Sequence, residues 1–328
     1  MERNKSVDIA KGILISFLIL HSIIRISLGE FHLQNDLLSM LDKVQSPLYL
    51  CYFMQAFFLI SGFCTNFERN WSEFIARQFK TLLVPNLVFT ICFFLLNGKT
   101  DFLHTIMYRG GWMWFLTALF VCKIVYYFIH KYIKNDLIVF IILLAASFLG
   151  TVLNDMDTIY NYWWHRQALD LLMFLAVGHW LKSHIHDDRI WFFVLGYIAA
   201  VVVCHFMNIE LPIVTSGFTS TKYNWILHII LATCGSVGFL KICSFIRYNS
   251  FLEYLGMNTL VIYMFHHEIL YHVLGVFADN ISTNTTEASI ITILASWLTT
   301  IALCLAFGWL LNSRYFKWSL GKWSLGRF

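Results

Sequence analysis

The first apolar stretch of the chain, residues 7–28, reads VDIAKGILISFLILHSIIRISL. At about 1.5 Å of rise per residue, a helix of this length is roughly 33 Å long and can cross the hydrocarbon core of a bilayer. Backbone groups cannot stay unpaired in lipid, so such a stretch crosses as a helix. A basic start precedes it, as in a signal peptide, but no small-residue cleavage site follows. We therefore expect it to be retained as the first transmembrane helix.

The composition of the whole chain is that of a membrane protein. Of 328 residues, 59% are hydrophobic and 13% are charged, and the mean hydropathy is +0.66. Soluble domains carry about a quarter charged residues, so that class is excluded. A net charge of +4 is far from the dense basic surface that nucleic-acid binding requires. The eight cysteines are dispersed without a CxxC pair, so the sequence predicts neither a disulfide framework nor a metal site.

Ten segments of the sequence are apolar enough to be membrane-spanning helices. The predicted fold class is therefore all-α, a polytopic membrane helix bundle with about ten transmembrane helices. No linker or charged block divides it, so we expect residues 1–328 to form a single membrane-embedded domain with no soluble domain. The ten segments lie near residues 7–28, 48–67, 82–96, 112–132, 137–153, 168–181, 191–208, 225–245, 255–277 and 288–311.

Lys and Arg are unevenly distributed between the predicted loops. If the N-terminus is cytoplasmic, most of them lie in inner segments, whereas outer segments such as residues 154–157 are polar or acidic. Inner loops of membrane proteins carry an excess of Lys and Arg, which supports this orientation. An even number of helices then predicts that both termini are cytoplasmic.

His21 is an ionisable residue inside the first predicted helix. It lies 14 residues beyond Val7, which is roughly 21 Å along the helix axis. This depth corresponds to the outer half of the membrane. A titratable group there is costly and faces the protein interior or a wet cavity, which makes it a functional candidate. The alternative is a neutral histidine that is hydrogen-bonded to a neighbouring helix.

Five stretches follow one another along the chain: residues 8–12 followed by His21, residues 53–63, residues 74–85, residues 114–120 and residues 256–266. Together they resemble the acyltransferase 3 family of integral-membrane enzymes. The second helix has Gln55-Ala56 where the family commonly has Pro-Leu, and nine residues instead of ten separate Lys11 from His21. At about 100° per residue, that missing residue rotates Lys11 relative to His21 around the helix.

The resemblance implies transfer of an acyl group, usually acetyl from acetyl-CoA, to a hydroxyl of a cell-envelope glycan or lipid-linked sugar. No metal is implied. A histidine can remove the proton of the attacking hydroxyl, so His21 is the expected general base, with an acyl-histidine intermediate as the alternative. In the ninth predicted helix, His266 and Glu268 lie close to the same depth and are further catalytic candidates. Glu268 would either orient the His21 imidazole, as the acid of a triad does, or pair with His267.

Binding of the CoA donor is predicted from cations near the inner face. Arg77 and Lys80 are three residues apart, on one side of a helix if a helix begins there, and the family match adds Lys11. Guanidinium and ammonium groups bind the phosphates of CoA. Trp114 is expected either to shape the pocket or to belong to an interfacial aromatic belt. The role of Lys123, near the middle of the fourth helix, stays open.

Together these depths suggest that acyl-CoA binds from the cytoplasm and that its acyl group meets the acceptor near the outer face. The family implies a bacterial inner (plasma) membrane. A proton-coupled transporter or exporter of a glycan or organic acid is the alternative function, with His21 and Glu268 as a proton relay. The sequence has no repeated halves and no proline at mid-membrane, features that transporters often show.

Overall fold

The computed structural model describes residues 5–31, 36–98, 100–156, 160–213, 221–246, 248–280 and 286–322. These residues are almost entirely helical, and no β-strand occurs among them. The α-helices are α1 (Lys5–Gly29), α2 (Asp36–Gln45), α3 (Phe53–Cys64), α4 (Trp71–Gln78), α5 (Val84–Leu96), α6 (Phe102–Arg109), α7 (Trp114–Tyr132), α8 (Asp136–Asp155), α9 (His165–His184), α10 (Trp191–Phe206), α11 (Trp225–Cys243), α12 (Ser250–Met257), α13 (Thr259–Asn280) and α14 (Thr286–Leu311).

Within the described ranges, nine helical segments are long and apolar enough to cross a membrane, which confirms the predicted all-α membrane bundle. The sixth predicted segment, residues 168–181, forms α9 but is not among these nine. It has 20 residues, but polar ones such as Asp170 and His179 reduce its apolar character. The prediction that both termini are cytoplasmic therefore depends on α9 being a tenth crossing.

Helix α9 is polar for a membrane helix because it lies inside the bundle. It packs against α3, α7 and α8, and most of its residues are buried. Its fully buried Asp170 accepts a hydrogen bond from the Ser147 hydroxyl at 2.9 Å and lies 3.2 Å from Nε2 of His228. Polar groups paired in this way can be kept away from lipid. Helix α9 can therefore carry polar side chains inside the bundle, and these side chains lower its mean hydropathy.

Two pairs of helices approach closely through reciprocal glycines. A Cβ atom added to Gly62 on α3 would lie 1.9 Å from the carbonyl oxygen of Leu175, and one added to Gly178 on α9 would lie 1.9 Å from that of Leu59. Helices α1 and α12 meet in the same way through Gly12 and Gly256. Small residues let membrane helices pack backbone against backbone. These contacts hold α1 and α3, two helices of the cavity described below, against their neighbours.

Replacing Gly62 by alanine is expected to destabilise the bundle strongly, because the new methyl group meets backbone that cannot move without separating α3 from α9. We expect a large loss of folded protein in detergent and a lower unfolding midpoint, measured by size-exclusion chromatography and thermal melting. Gly275→Ala is the matched control, since its nearest neighbour would be the Phe31 ring at 3.7 Å, an ordinary contact. Equal stability of the two variants would contradict this account of the α3–α9 contact.

Two π-helical turns, Ser46–Leu50 and Phe79–Leu83, each join a short amphipathic helix to an apolar helix. The first joins α2 to α3 and the second joins α4 to α5. Each turn lies at a proline, Pro47 in the first and Pro85 at the start of α5. A π turn contains more residues than an α turn, so it changes which side chains share one side of the helix. Arg77 lies just before the second turn, in α4, and Lys80 lies within it.

Candidate active site

A cavity of about 900 Å³ lies between α1, α3, α4, α7, α12 and α13. This volume is within the usual range for sites that hold a small molecule or cofactor. Polar and charged groups line one part of the cavity and apolar groups line another. The polar groups are Lys11, Ser61, Thr65, Asn66, Arg69, Arg77, Gln78, Thr81, Lys123, Thr259 and Tyr263, and the apolar ones include Ile15, Leu18, Phe57, Phe115 and Leu260.

Four cations line this cavity: Lys11, Arg69, Arg77 and Lys123. No acidic residue is among the described residues of the wall. Lys11, Arg77 and Lys123 come from three different helices and line the same cavity. Like charges that converge without an acid between them favour an anionic ligand.

The partners of these cations differ in how much charge they neutralise. Lys11 lies 3.5 Å from the buried carboxylate of Asp8, and Arg69 forms an ion pair with Glu73. Lys123 is 8% exposed and donates a hydrogen bond of 3.2 Å to the neutral side-chain oxygen of Gln78.

Arg77 is exposed and forms no ion pair with any residue that the structure describes. Its positive charge, and that of Lys123, therefore stay available to a ligand.

One rim of the cavity is formed by the loop between α3 and α4. This loop contributes Asn66 and Arg69 to the wall. Next to them, the carboxylate of Glu68 lies 2.9 Å from Nε2 of His130 on α7. The hydrogen bond with His130 lowers the pKa of Glu68, which keeps this carboxylate ionised. The contact fastens the loop to α7 at the side of the cavity.

The apolar part of the cavity leads toward His21. Leu18 lines the wall, and His21 follows it by three residues on α1, which is one turn farther along the helix. The His21 ring is partly buried, and its centroid lies 6.3 Å from that of Phe53. His21 itself is not part of the cavity wall.

The hydrogen-bond partner of His21 is a residue that the sequence analysis did not single out. Nδ1 of His21 lies 3.0 Å from Oε1 of Gln45, at the end of α2. Gln45 is 3% exposed, and its oxygen also accepts a hydrogen bond from the Tyr49 hydroxyl at 2.7 Å. Both readings of His21 therefore have support: it is hydrogen-bonded to a neighbouring helix, and it lies one turn from a cavity that can hold a ligand.

His266 has a comparable place on α13. It follows the wall residue Tyr263 by three positions, is buried, and its Nδ1 lies 2.8 Å from the backbone oxygen of Tyr263. That contact uses the Nδ1–H group and leaves Nε2 for another partner. Glu268 is partly exposed, and its Oε1 lies 3.8 Å from Nδ1 of His267. Of the two partners considered for Glu268 from the sequence, His21 and His267, the structure places His267 beside it.

Lys80 and Trp114 are predicted donor-binding residues that lie outside the described cavity wall. Lys80 lies in the π-helical turn Phe79–Leu83, and Arg77 lies in the α-helix that precedes it. Trp114 begins α7, and its ring centroid lies 6.1 Å from that of Phe115, a wall residue. Its contact with the cavity is therefore indirect, through Phe115.

Asn86 is a second polar residue that sequence reasoning missed. It is fully buried in α5, and its amide donates to the backbone oxygen of Gly110 at 3.1 Å and to the Thr117 hydroxyl at 2.9 Å. Its oxygen accepts from the backbone N–H of Met113 at 3.0 Å. Asn86 thereby fixes the turn that precedes Trp114, and with it the start of α7.

A family model described as an acyltransferase domain matches residues 4–312, nearly the whole chain. The chain belongs to the acyltransferase 3 family. The resemblance seen in the five stretches is thus confirmed, and the protein is an integral-membrane acyltransferase. No curated relative and no solved structure matches the chain. Among the described residues there is no group of three His, Cys, Asp or Glu side chains that could hold a metal ion.

Proposed function

We propose that this acyltransferase moves an acyl group, acetyl in the simplest case, from acyl-CoA in the cytoplasm to a hydroxyl of a cell-envelope glycan or lipid-linked sugar. The observation that carries the proposal is the cavity between α1, α3 and α7. It combines a cluster of cations with an apolar part that ends one turn from His21. A molecule with phosphates at one end and an acyl thioester at the other has this distribution of charge.

The donor would bind with its phosphates on Arg77, Lys123 and Lys11, and Arg69 is near enough to join them. Arginine binds phosphate through two parallel hydrogen bonds, and lysine binds it as a point charge. The pantetheine arm would then lie along Ile15, Leu18 and Phe57. Lys80 and Trp114 are included as donor-binding residues because of the family resemblance.

His21 would act as the general base. Its Nε2 would take the proton of the acceptor hydroxyl as the oxygen attacks the thioester carbonyl. A C–O bond forms, the C–S bond breaks, and the proton passes to the departing thiolate, which leaves as the CoA thiol. His266, with Nε2 unused by its backbone contact, would be a second group at the reacting atoms. Glu268 is included as the carboxylate of the same helix.

The acceptor would enter from the outer side, so that the acyl group crosses the bilayer along the cavity. This follows from the predicted depth of His21 and from the predicted orientation of the chain. The family resemblance supports a bacterial plasma membrane as the location. The envelope glycan is then reachable at the outer face and acyl-CoA at the inner face.

Sealed membrane vesicles that contain the protein test this function. With ¹⁴C-acetyl-CoA supplied only on the cytoplasmic side, we expect release of CoA thiol and label in the envelope glycan. Vesicles without the protein are the control. A proton-coupled transporter would release no thiol, and this result would overturn the proposal. Label appearing only when donor and glycan are on the same side would overturn the trans-bilayer route.

A further inference from the structure

The amide of Gln45 occupies the position at His21 that the carboxylate of a catalytic triad would occupy. We propose that Gln45 is a positioning residue that holds the His21 ring in the tautomer with hydrogen on Nδ1 and a free lone pair on Nε2. The inference rests on the proposed function, because it assigns a task to the base of that reaction. It does not depend on Glu268.

The orientation of the Gln45 amide follows from its other contacts. Its nitrogen donates a hydrogen bond of 3.2 Å to Oδ1 of Asp42, and its oxygen accepts one of 2.7 Å from the Tyr49 hydroxyl. A reversed amide would put oxygen against the Asp42 carboxylate, where two acceptors would meet. The oxygen of Gln45 is therefore the atom that faces His21.

An oxygen at Nδ1 decides which nitrogen of His21 carries the proton. The side-chain oxygen of glutamine accepts and cannot donate, so Nδ1 of His21 must donate across the 3.0 Å contact. In the neutral ring, Nε2 is then the acceptor. A general base needs this lone pair, and a base in the wrong tautomer loses most of its activity.

The side chains around Gln45 fix its place. Gln45 ends α2, and the π-helical turn Ser46–Leu50 follows at once. Tyr49 lies in that turn, where the Phe17 ring of α1 stacks on it with centroids 4.4 Å apart. Tyr49 is 1% exposed, so its hydroxyl has little freedom to leave Gln45. The amide is thus held from two sides before it contacts His21.

A neutral amide has a different electrical effect from a carboxylate. Arg25 on α1 and Asp42 on α2 are the charged groups that act on His21, and Tyr49 is the titratable group that shares the Gln45 oxygen. A carboxylate at position 45 would add a negative charge in contact with the ring and would stabilise its protonated form. Glutamine orients the ring without adding this charge, so the base stays unprotonated at lower pH.

The test compares Gln45→Leu, Gln45→Glu and a control in the full-length protein, with acetyl-CoA as donor. In Gln45→Leu we expect kcat to fall by about 30-fold and KM for acetyl-CoA to stay within about twofold, because the donor site is intact. Gln55→Leu is the control: Gln55 is also fully buried, on α3, and none of the described residues is its hydrogen-bond partner. It should keep wild-type kcat.

In Gln45→Glu, made together with Asp42→Asn so that the amide of residue 42 donates to the new carboxylate and two carboxylates do not meet, we expect activity to persist while the acid limb of its pH profile moves to higher pH by about one unit. A merely structural role of Gln45 would not move this limb. If Gln45→Leu does not fold, Gln45→Glu decides alone. An unmoved profile in Gln45→Glu, or wild-type kcat in Gln45→Leu, would overturn the inference. Activity in His21→Ala would instead refute the proposed function, so the two failures are distinguishable.

Discussion

His21→Ala is expected to lower acyl transfer by at least about 10³-fold, because the attacking hydroxyl loses the group that removes its proton. Binding of the donor should change little, since His21 lies outside the wall of the cation-lined cavity. The measurement is release of CoA thiol and labelled glycan at saturating acetyl-CoA, together with equilibrium binding of CoA. A loss of kcat with unchanged CoA binding assigns His21 to the chemical step.

The matched control for this variant is His205→Ala. His205 is also near the end of an apolar helix, α10, but its side chain is exposed. The control should retain full activity and the same yield of folded protein. Substantial transfer by His21→Ala at wild-type expression would contradict the role of general base.

The second large effect is expected for the cations of the cavity. Arg77→Ala and Lys123→Met should each raise KM for acetyl-CoA by about tenfold, because each removes a charged contact to phosphate. If both cations contact the same phosphate group, the effect of the double variant should depart from the product of the two single effects, because residues that share a partner are energetically coupled. At saturating donor, kcat should stay near that of the wild type, since these groups do not touch the reacting atoms.

Two further variants complete this series. Lys131→Ala removes another lysine of α7. This lysine contacts the Tyr127 ring and lies outside the described cavity wall. The variant should leave KM for acetyl-CoA unchanged. Lys80→Ala tests the other predicted donor-binding cation, and we expect a smaller increase than for Arg77→Ala because Lys80 lies outside the described cavity wall. An unchanged KM in both Arg77→Ala and Lys123→Met would exclude the cavity as the donor site.

The course of the longest helices could be predicted from the sequence, because hydrophobicity and length decide it. Predicted residues 7–28 correspond to Lys5–Gly29, and residues 288–311 to Thr286–Leu311. The ninth predicted segment is less simple, since it runs through Asn258, where α12 ends and α13 begins. The amide of Asn258 donates to the backbone oxygen of Tyr254 and so competes with the helical pattern there.

The partner of His21 could not be predicted, because the second predicted segment begins near residue 48 and leaves Gln45 outside it. In the structure Pro47 lies within a π-helical turn, and the helix continues backward through α2 to Asp36. Gln45 therefore lies inside a continuous helical segment and not in an outer loop. The cations were easier to predict than their arrangement. Lys11 and Arg77 could be predicted from the sequence, while only the packing of the helices shows that Lys123 lines the same cavity.

The cation cluster also has a consequence for turnover. On the proposed donor it would bind the nucleotide portion, which the reaction does not alter, so spent CoA meets the same attraction as the incoming thioester. Binding of this uniform kind cannot accelerate the chemical step. Free CoA therefore competes with acyl-CoA for the same site. The turnover rate then depends on the cellular ratio of acylated to free CoA.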